Sequence, residues 1–351
     1  MPNNKNPQPT NQPTSSKPKV LFVLSVDTEE EFDWNGAFPQ RNCSVRNIQK
    51  IPKFQAFCES LSIRPTYLVD YPVANDAESA TILSTIAQSG QAEIGAHLHP
   101  WCTPPFEGAN GERESHVINL PSDLVRRKLS TLTEAIKTNI GVTPKAFRTG
   151  RWGTDAAVLK VTLDEGYHID SSVYPYYSNE YFSCTPAIGT PYRPSLSDPN
   201  KAGSQQGILE IPVTAGFNHP NFPFWGRVHH TLSSPLIAPL HLVALAWTTK
   251  TLRKLYLSPE LSTTTDLTTL MDAAVNSQHP VIHMYLHSSS LLPGHNEFTH
   301  NVDDEAKFYK RIQHAVEHLT KQTDVTFGTL TEAKEHLQKG FAGYSFPTPA
   351  N

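Results

Sequence analysis

Two histidines stand one residue apart, His97 and His99 in Glu-Ile-Gly-Ala-His-Leu-His-Pro-Trp, and an early apolar run ends in Ser25-Val26-Asp27-Thr28-Glu29-Glu30. Imidazoles and carboxylates together are the ligand set of a catalytic zinc site that keeps one position open for water. Two more polar clusters, Phe147-Arg148-Thr149-Gly150-Arg151-Trp152 and Tyr285-Leu286-His287-Ser288, also sit where apolar runs break into turns. Asp27, His97, Arg148, Asp170 and His287 all fall at or just past the carboxyl ends of expected strands. In parallel barrels the active site is assembled at that end.

Composition narrows the function. With 29 Lys+Arg against 33 Asp+Glu and a formal net charge of -4, the chain has no basic stripe suited to phosphate backbones, so nucleic acid is not the expected partner. The four cysteines, Cys43, Cys58, Cys102 and Cys184, are scattered and include no Cys-x-x-Cys pair. That pattern argues against a disulfide framework and fits reduced thiols in the cytoplasm. Residues 1–19 are mostly Pro, Asn, Gln, Ser and Lys and read as a disordered tail without a secretory signal. The most apolar later stretch, Pro235 to Trp247, holds two prolines and a histidine and is too short to span a bilayer.

From Val20 on, short β-branched runs alternate with amphipathic segments, the pattern of βαβ units around a parallel sheet. Strands are expected at 20–26, 66–69, 92–96, 146–148, 167–170, 208–213, 281–286 and 325–327. Helices are marked by caps: Asn75 opening a segment that stops at Gly90, Ser122 or Asp123 one closed by Gly141, and Thr154 one closed by Gly166. A long amphipathic helix is expected over 303–321, and a last one from about Thr331. Residues 20–340 read as one domain, with 341–351 as a C-terminal tail. Insertions at 100–120, 174–207 and 217–257 exceed ordinary connections and are taken as walls of a cleft. The third is expected to hold a helix from Leu236 to Leu257, whose Lys250, Arg253 and Lys254 either rest on a membrane surface or flank a core stripe.

In this order the motifs resemble those of the polysaccharide deacetylases of NodB homology, carbohydrate esterase family 4, over nearly the whole span from Val20 to Gln338. Ser25-Val26-Asp27-Thr28-Glu29 resembles the first, acidic motif, His97-Leu98-His99 the second, Arg148-Thr149-Gly150-Arg151-Trp152 the third and Leu286-His287-Ser288 the last. The resemblance implies an α/β fold, a distorted (β/α)7–8 barrel, and a hydrolase that removes an acyl group, chiefly N-acetyl, from a sugar or polysaccharide precursor with a divalent metal, usually zinc. It assigns Asp27 as base, His97 and a following acid, taken as Glu29, as metal ligands, Arg148 as the group that orients the base, His287 as acid, and Leu286 as part of the acyl-methyl pocket.

The departures point to a divergent subgroup resembling deacetylase-like proteins of lipopolysaccharide and capsule biosynthesis. Glutamates follow Asp27 where a second aspartate is usual, and the histidines are separated by one residue rather than three. After three intervening residues His97 is followed by Trp101, which cannot bind metal. His99 substitutes, because alternate residues of an extended segment face the same side. The usual proline of the third motif is Gly150. Trp152, Asp170 and Glu210 are substrate-binding candidates, with core packing, turn capping and a strand-edge carboxylate as their respective alternatives. A deformylase or other non-peptide amide hydrolase on the same barrel, and a non-catalytic carbohydrate-binding protein with a decayed site, remain the competing functions. Oligomeric state is not legible.

Overall fold

The computed structural model describes residues 17–33 and 36–349; most of the expected N-terminal tail lies outside them. The first strand, β1 (Lys19–Thr28), is buried along nearly its full length, as expected of a run that is apolar on both faces in a parallel sheet. There follow α1 (Ile51–Ser60), β2 (Thr66–Val69), α2 (Tyr71–Asn75), α3 (Ala77–Gln88), β3 (Glu93–Leu98), α4 (Ser122–Ala135) and β4 (Ala146–Thr149). Next come α5 (Ala156–Asp164), β5 (Ile169–Asp170), β6 (Leu209–Glu210), β7 (Ala215–Phe217), α6 (Phe222–Leu232), α7 (Leu242–Thr248) and β8 (Lys254–Tyr256). The chain ends with α8 (Thr264–Asn276), β9 (Val281–His287), α9 (Val302–Gln322), β10 (Asp324–Phe327) and α10 (Leu330–Gln338).

Eight of these strands form one parallel sheet. On one edge β1 pairs with β9 throughout; on the other its first half pairs with β10 and its second half with β2. From β2 the sheet curls through β3, β4 and β5 to β6. No strand pairing joins β6 to β9. The gap is bridged by residues after β6: Thr214 N–H donates to the His283 carbonyl, and the His283 N–H to Thr214 Oγ1. Tyr285 N–H donates to the Leu257 carbonyl, and Leu257 N–H to that of Thr214. The architecture is the distorted (β/α) barrel expected.

Side-chain alternation divides the barrel. Leu21, Val23, Leu68, Ala146, Ile169, Leu209 and Val281 fill its lower interior. Phe22, Leu24, Val26, Leu98, Phe147, Met284 and Leu286 face the helices in the larger core. Ser25 and Asp27 continue the inward series of β1, and His283, Tyr285 and His287 that of β9.

Several local expectations shift. Asp76, not Asn75, caps α3 by accepting from Ser79 N–H, while Asn75 ends α2. Asp155 rather than Thr154 caps α5, its carboxylate reaching Val158 N–H from an extended backbone. The helix over 236–257 is not formed. Prolines at 235 and 239 interrupt it, and the segment instead makes a 3-10 turn, the short α7 and the strand β8. Arg253 is paired with Asp266 and Lys254 donates to the Tyr176 carbonyl, so the three cations do not form the free stripe that membrane docking would need. Phe341, Tyr344 and Phe346 pack against the lower interior cluster, and Tyr344 Oη donates to the Pro191 carbonyl at 2.6 Å.

Candidate active site

The carboxyl ends of β1, β3, β4 and β9 bring Asp27, His97, Arg148 and His287 together by register: Asp27 lies opposite His287, and His97 opposite Arg148. Arg148 is fully buried with its donors occupied. Nη1 reaches Asp27 Oδ1 at 2.5 Å, Nη2 reaches Ser25 Oγ and Ser171 Oγ at 2.8 and 2.9 Å, and Nε reaches the Ser171 carbonyl at 2.9 Å. Burial opposes ionisation of Asp27. The Arg148 guanidinium, with His97 and His287 nearby, nevertheless holds the Asp27 carboxyl below its ordinary range. His283 lies beneath this group. Ser25 Oγ, which accepts from Arg148, donates to His283 Nε2 at 2.8 Å, and burial and the Arg148 charge push His283 down to about 3, so the ring is neutral.

Glu29 is the acid that meets both histidines. Its Oε2 lies 3.3 Å from His97 Nε2 and 3.2 Å from His99 Nε2, and all three side chains are buried. Glu29 Oε2 and His99 Nε2 have no hydrogen-bond partner. Orphaned buried donors and acceptors are rare, but tetrahedral zinc ligands at about 2.0–2.1 Å necessarily lie about 3.3–3.4 Å from one another. The donor set therefore fits a divalent metal. A second group, Glu30, Asp70, His99 and Cys102, is equally close-set, but its side chains are engaged in hydrogen bonds within the group and to neighbouring residues. Glu30 Oε2 accepts from His99 Nδ1 and Oε1 from Trp101 Nε1, both at 2.8 Å, while Asp70 accepts from Glu30 N–H and Val73 N–H at 2.9 Å. This group orients His99 so that Nε2 faces Glu29, the support that metal-binding imidazoles commonly have.

Two of the departures of sequence, the close histidine spacing and Gly150, compensate each other in space. A Cβ on Gly150 would stand 2.3 Å from His99 Cδ2 and 2.7 Å from the Leu98 carbonyl oxygen. Gly150 N–H also donates to that carbonyl at 2.9 Å, a bond proline cannot make. With glycine there, the His99 ring occupies the space a side chain would fill.

His287 is held by a residue not singled out from sequence, Glu260. Its Oε2 accepts from His287 Nδ1 and its Oε1 from His287 N–H, both at 2.8 Å. Burial opposes the imidazolium, but Glu260, aided by Glu29 and Asp27, pushes His287 up to about 10. Its Nε2 lies 3.8 Å from Asp27 Oδ2. Glu30, Trp101 and Glu260 were missed as site residues. The first was legible as a third acid beside Glu29, whereas Glu260 lies 27 residues from its partner and carried no signal.

Asp27, His97, His116, Thr149, Arg151, Trp152, Tyr177, Asn179 and His287 line one cavity of about 200 Å³. Three expected substrate contacts are not in its wall. Leu286 faces the helices, because it is one residue out of step with the inward Tyr285 and His287. Asp170 and Glu210 pair in register with each other and with the outward Phe147, so both point away from the interior. There Asp170 accepts from Ser172 N–H and Oγ and Glu210 from Val173 N–H, fixing the turn whose Ser171 carbonyl holds Arg148. Burial, with the neighbouring carboxyl in the case of Glu210, raises both, Asp170 to about 6. Trp152 does reach the cavity, but Arg148 lies over its ring at 4.7 Å and Tyr174 stacks on it at 4.6 Å, which leaves mainly its edge. Of the three insertions, 217–257 contributes nothing to this wall. It borders a larger groove of about 1430 Å³ that Tyr176 also lines.

No family model matches the sequence, and no curated protein is similar to it. Solved structures share its shape. A Mycobacterium smegmatis protein assigned as a polysaccharide deacetylase superposes with a TM-score of 0.54 at 15% identity, covering 99% of this chain and 98% of the other. A Parabacteroides distasonis protein assigned as a glycoside hydrolase/deacetylase gives 0.56 at 13% identity over 93% and 73%. The 4-alpha-glucanotransferase of Thermococcus litoralis gives 0.51 at 10% identity, over 94% of this chain and 41% of that one. With the curled parallel sheet described above, these likenesses give the chain the distorted barrel fold of the NodB-homology polysaccharide deacetylases.

Proposed function

We propose that the protein is a metal-dependent hydrolase that removes an acyl group, most simply N-acetyl, from a sugar or a polysaccharide precursor. The observation that carries this reading is the convergence on one small cavity of an ionised carboxylate, an imidazolium and, beside them, a Glu29–His97–His99 set with unsatisfied ligand atoms. A divalent cation, zinc being the simplest choice for this donor set, would polarise the acyl carbonyl and acidify water there. Asp27 acts as base: Arg148 fixes Oδ1, leaving Oδ2 to take the proton of the attacking water. His287 acts as acid, its Nε2 proton passing to the departing nitrogen while Glu260 keeps Nδ1 protonated. Base and acid with widely separated pKa values are the arrangement this division of labour requires.

The glucanotransferase likeness raises glycosyl transfer as a competing chemistry. That chemistry uses two carboxyl groups flanking the bond, about 5–10 Å apart, but Asp27 is the only carboxylate among the described residues lining the cavity. Acyl chemistry therefore fits better. The compensating pair of His99 and Gly150 argues against a decayed, merely sugar-binding site. A formyl in place of acetyl would need the same machinery and stays within the reading. The four free cysteines suit a reducing, cytoplasmic setting, and among the described residues no helix is long and apolar enough to cross a membrane. Acetate release from acetylated amino sugars, with metal supplied and then chelated, tests the proposal. Asp27→Asn should lower kcat by about 10²–10⁴-fold with an unaltered circular-dichroism spectrum, and a variant that retains turnover refutes the base assignment.

A further inference from the structure

Two of the long insertions meet over the cavity. His116, from 100–120, stacks on Tyr181 of 174–207 with ring centroids 4.5 Å apart and lies 5.8 Å from Phe182. It is only 2% exposed, yet neither ring nitrogen has a hydrogen-bond partner. The Arg151 carbonyl lies near the ring without bonding geometry. Burial and the Arg151 charge push the imidazole down to about 4, so at neutral pH it offers one N–H donor and one acceptor. The acidic and basic groups facing it are Glu112 and Arg151, which are paired at 2.7 Å. Asn179 Oδ1 is taken by Tyr181 N–H and Phe182 N–H, which leaves its amide NH₂ as the donor for the cavity.

The backbone beyond β4 adds to this enclosure. Arg151, Trp152 and Gly153 are left-handed in succession, with φ of 60, 62 and 81°. Strain of this kind persists where the surroundings over-determine it, commonly at binding sites. Trp152, within this turn, and Thr149, just before it, both line the cavity. At about 200 Å³ the space falls below the roughly 300–1,000 Å³ of sites for drug-sized ligands, and corresponds to one sugar ring and its acyl group. At the outer rim, away from Asp27 and His287, the aromatic edges of Trp152 and Tyr177 stand beside the neutral donors and acceptors of His116 and Asn179, a mix that suits hydroxyls.

We propose that this cavity is a single-unit sugar subsite in which His116 and Asn179 read hydroxyls of the acylated ring, so that the substrate is a free or terminal acylated sugar and not the interior of a chain. The inference rests on the deacylase reading above and narrows its substrate class. The test uses the full chain loaded with zinc, 4-nitrophenyl acetate, and a panel of N- and O-acetylated hexoses and hexosamines as monomers and as oligomers of increasing length. The expected result is at most one acetate released per chain, independent of its length. His116→Phe, which keeps the stack on Tyr181, should raise the sugar KM by about tenfold, one hydrogen bond's worth, with little change in kcat. Should that variant misfold, Asn179→Asp, which keeps the two N–H contacts but replaces the NH₂ donor, serves the same purpose. Hydrolysis of the nitrophenyl ester accompanied by internal deacetylation, by no accepted sugar, or by an unaltered KM overturns the inference alone. Absence of any metal-dependent hydrolysis overturns the deacylase reading and the inference with it.

Discussion

Glu260 gives the sharpest test of the proposed acid. Its buried carboxylate contacts His287 Nδ1 at 2.8 Å; Glu260→Gln deletes the charge and keeps one oxygen for that N–H, while its NH₂ gives up the bond that the other oxygen accepts from the His287 backbone N–H. Two unit charges about 4 Å apart at an effective dielectric of about 20 interact by about 4 kcal/mol, or about 3 pKa units at about 1.4 kcal/mol each. The sign is downward, because loss of the anion destabilises the imidazolium. His287, pushed up to about 10 in the intact protein, should titrate lower in the variant by about that amount. A cation beside Glu29 lowers both values similarly, so the difference between the two proteins is the quantity to read. The assay is kcat for deacetylation from pH 6 to 10. The alkaline limb of the variant should lie about 3 units below that of the intact protein, so that between the two limbs the rate of the variant is lower by more than about tenfold. Coincident alkaline limbs would show that His287 is not the proton donor, or that Glu260 does not tune it.

Gly150→Ala should weaken zinc binding by about 10–100-fold, the usual cost of disturbing a ligand's support, when metal-loaded protein is titrated with a competing chelator; unchanged affinity would remove His99 from the ligand set. Leu286→Ala should cost about 2–5 kcal/mol of stability in denaturant unfolding while leaving kcat/KM per folded molecule unaltered, since the side chain belongs to the helix-facing core; a selective loss of activity would restore it to the acyl pocket. Arg148→Lys should cost about 3–5 kcal/mol, the price of a broken buried ion pair, because one ammonium cannot replace four directed hydrogen bonds; a melting temperature equal to that of the intact protein would contradict the buried network.

The sequence alone determined the parallel barrel and the convergence of Asp27, Glu29, His97, His99, Arg148 and His287, because βαβ alternation fixes which end of each strand a residue occupies and i, i+2 spacing fixes the shared face of the two histidines. It could not give the phase of each strand. Leu286, Asp170 and Glu210 stand at strand ends like the others, but one step of the pleat turns them outward, and that phase is set by register with neighbouring strands. Nor could it give contacts between remote segments. Glu260 reaches His287, Glu30 and Trp101 hold His99, and His116 meets Tyr181 only once the chain has folded. Such pairings have no spacing to read, since they depend on where a loop returns over the rim and not on the periodicity of the loop itself.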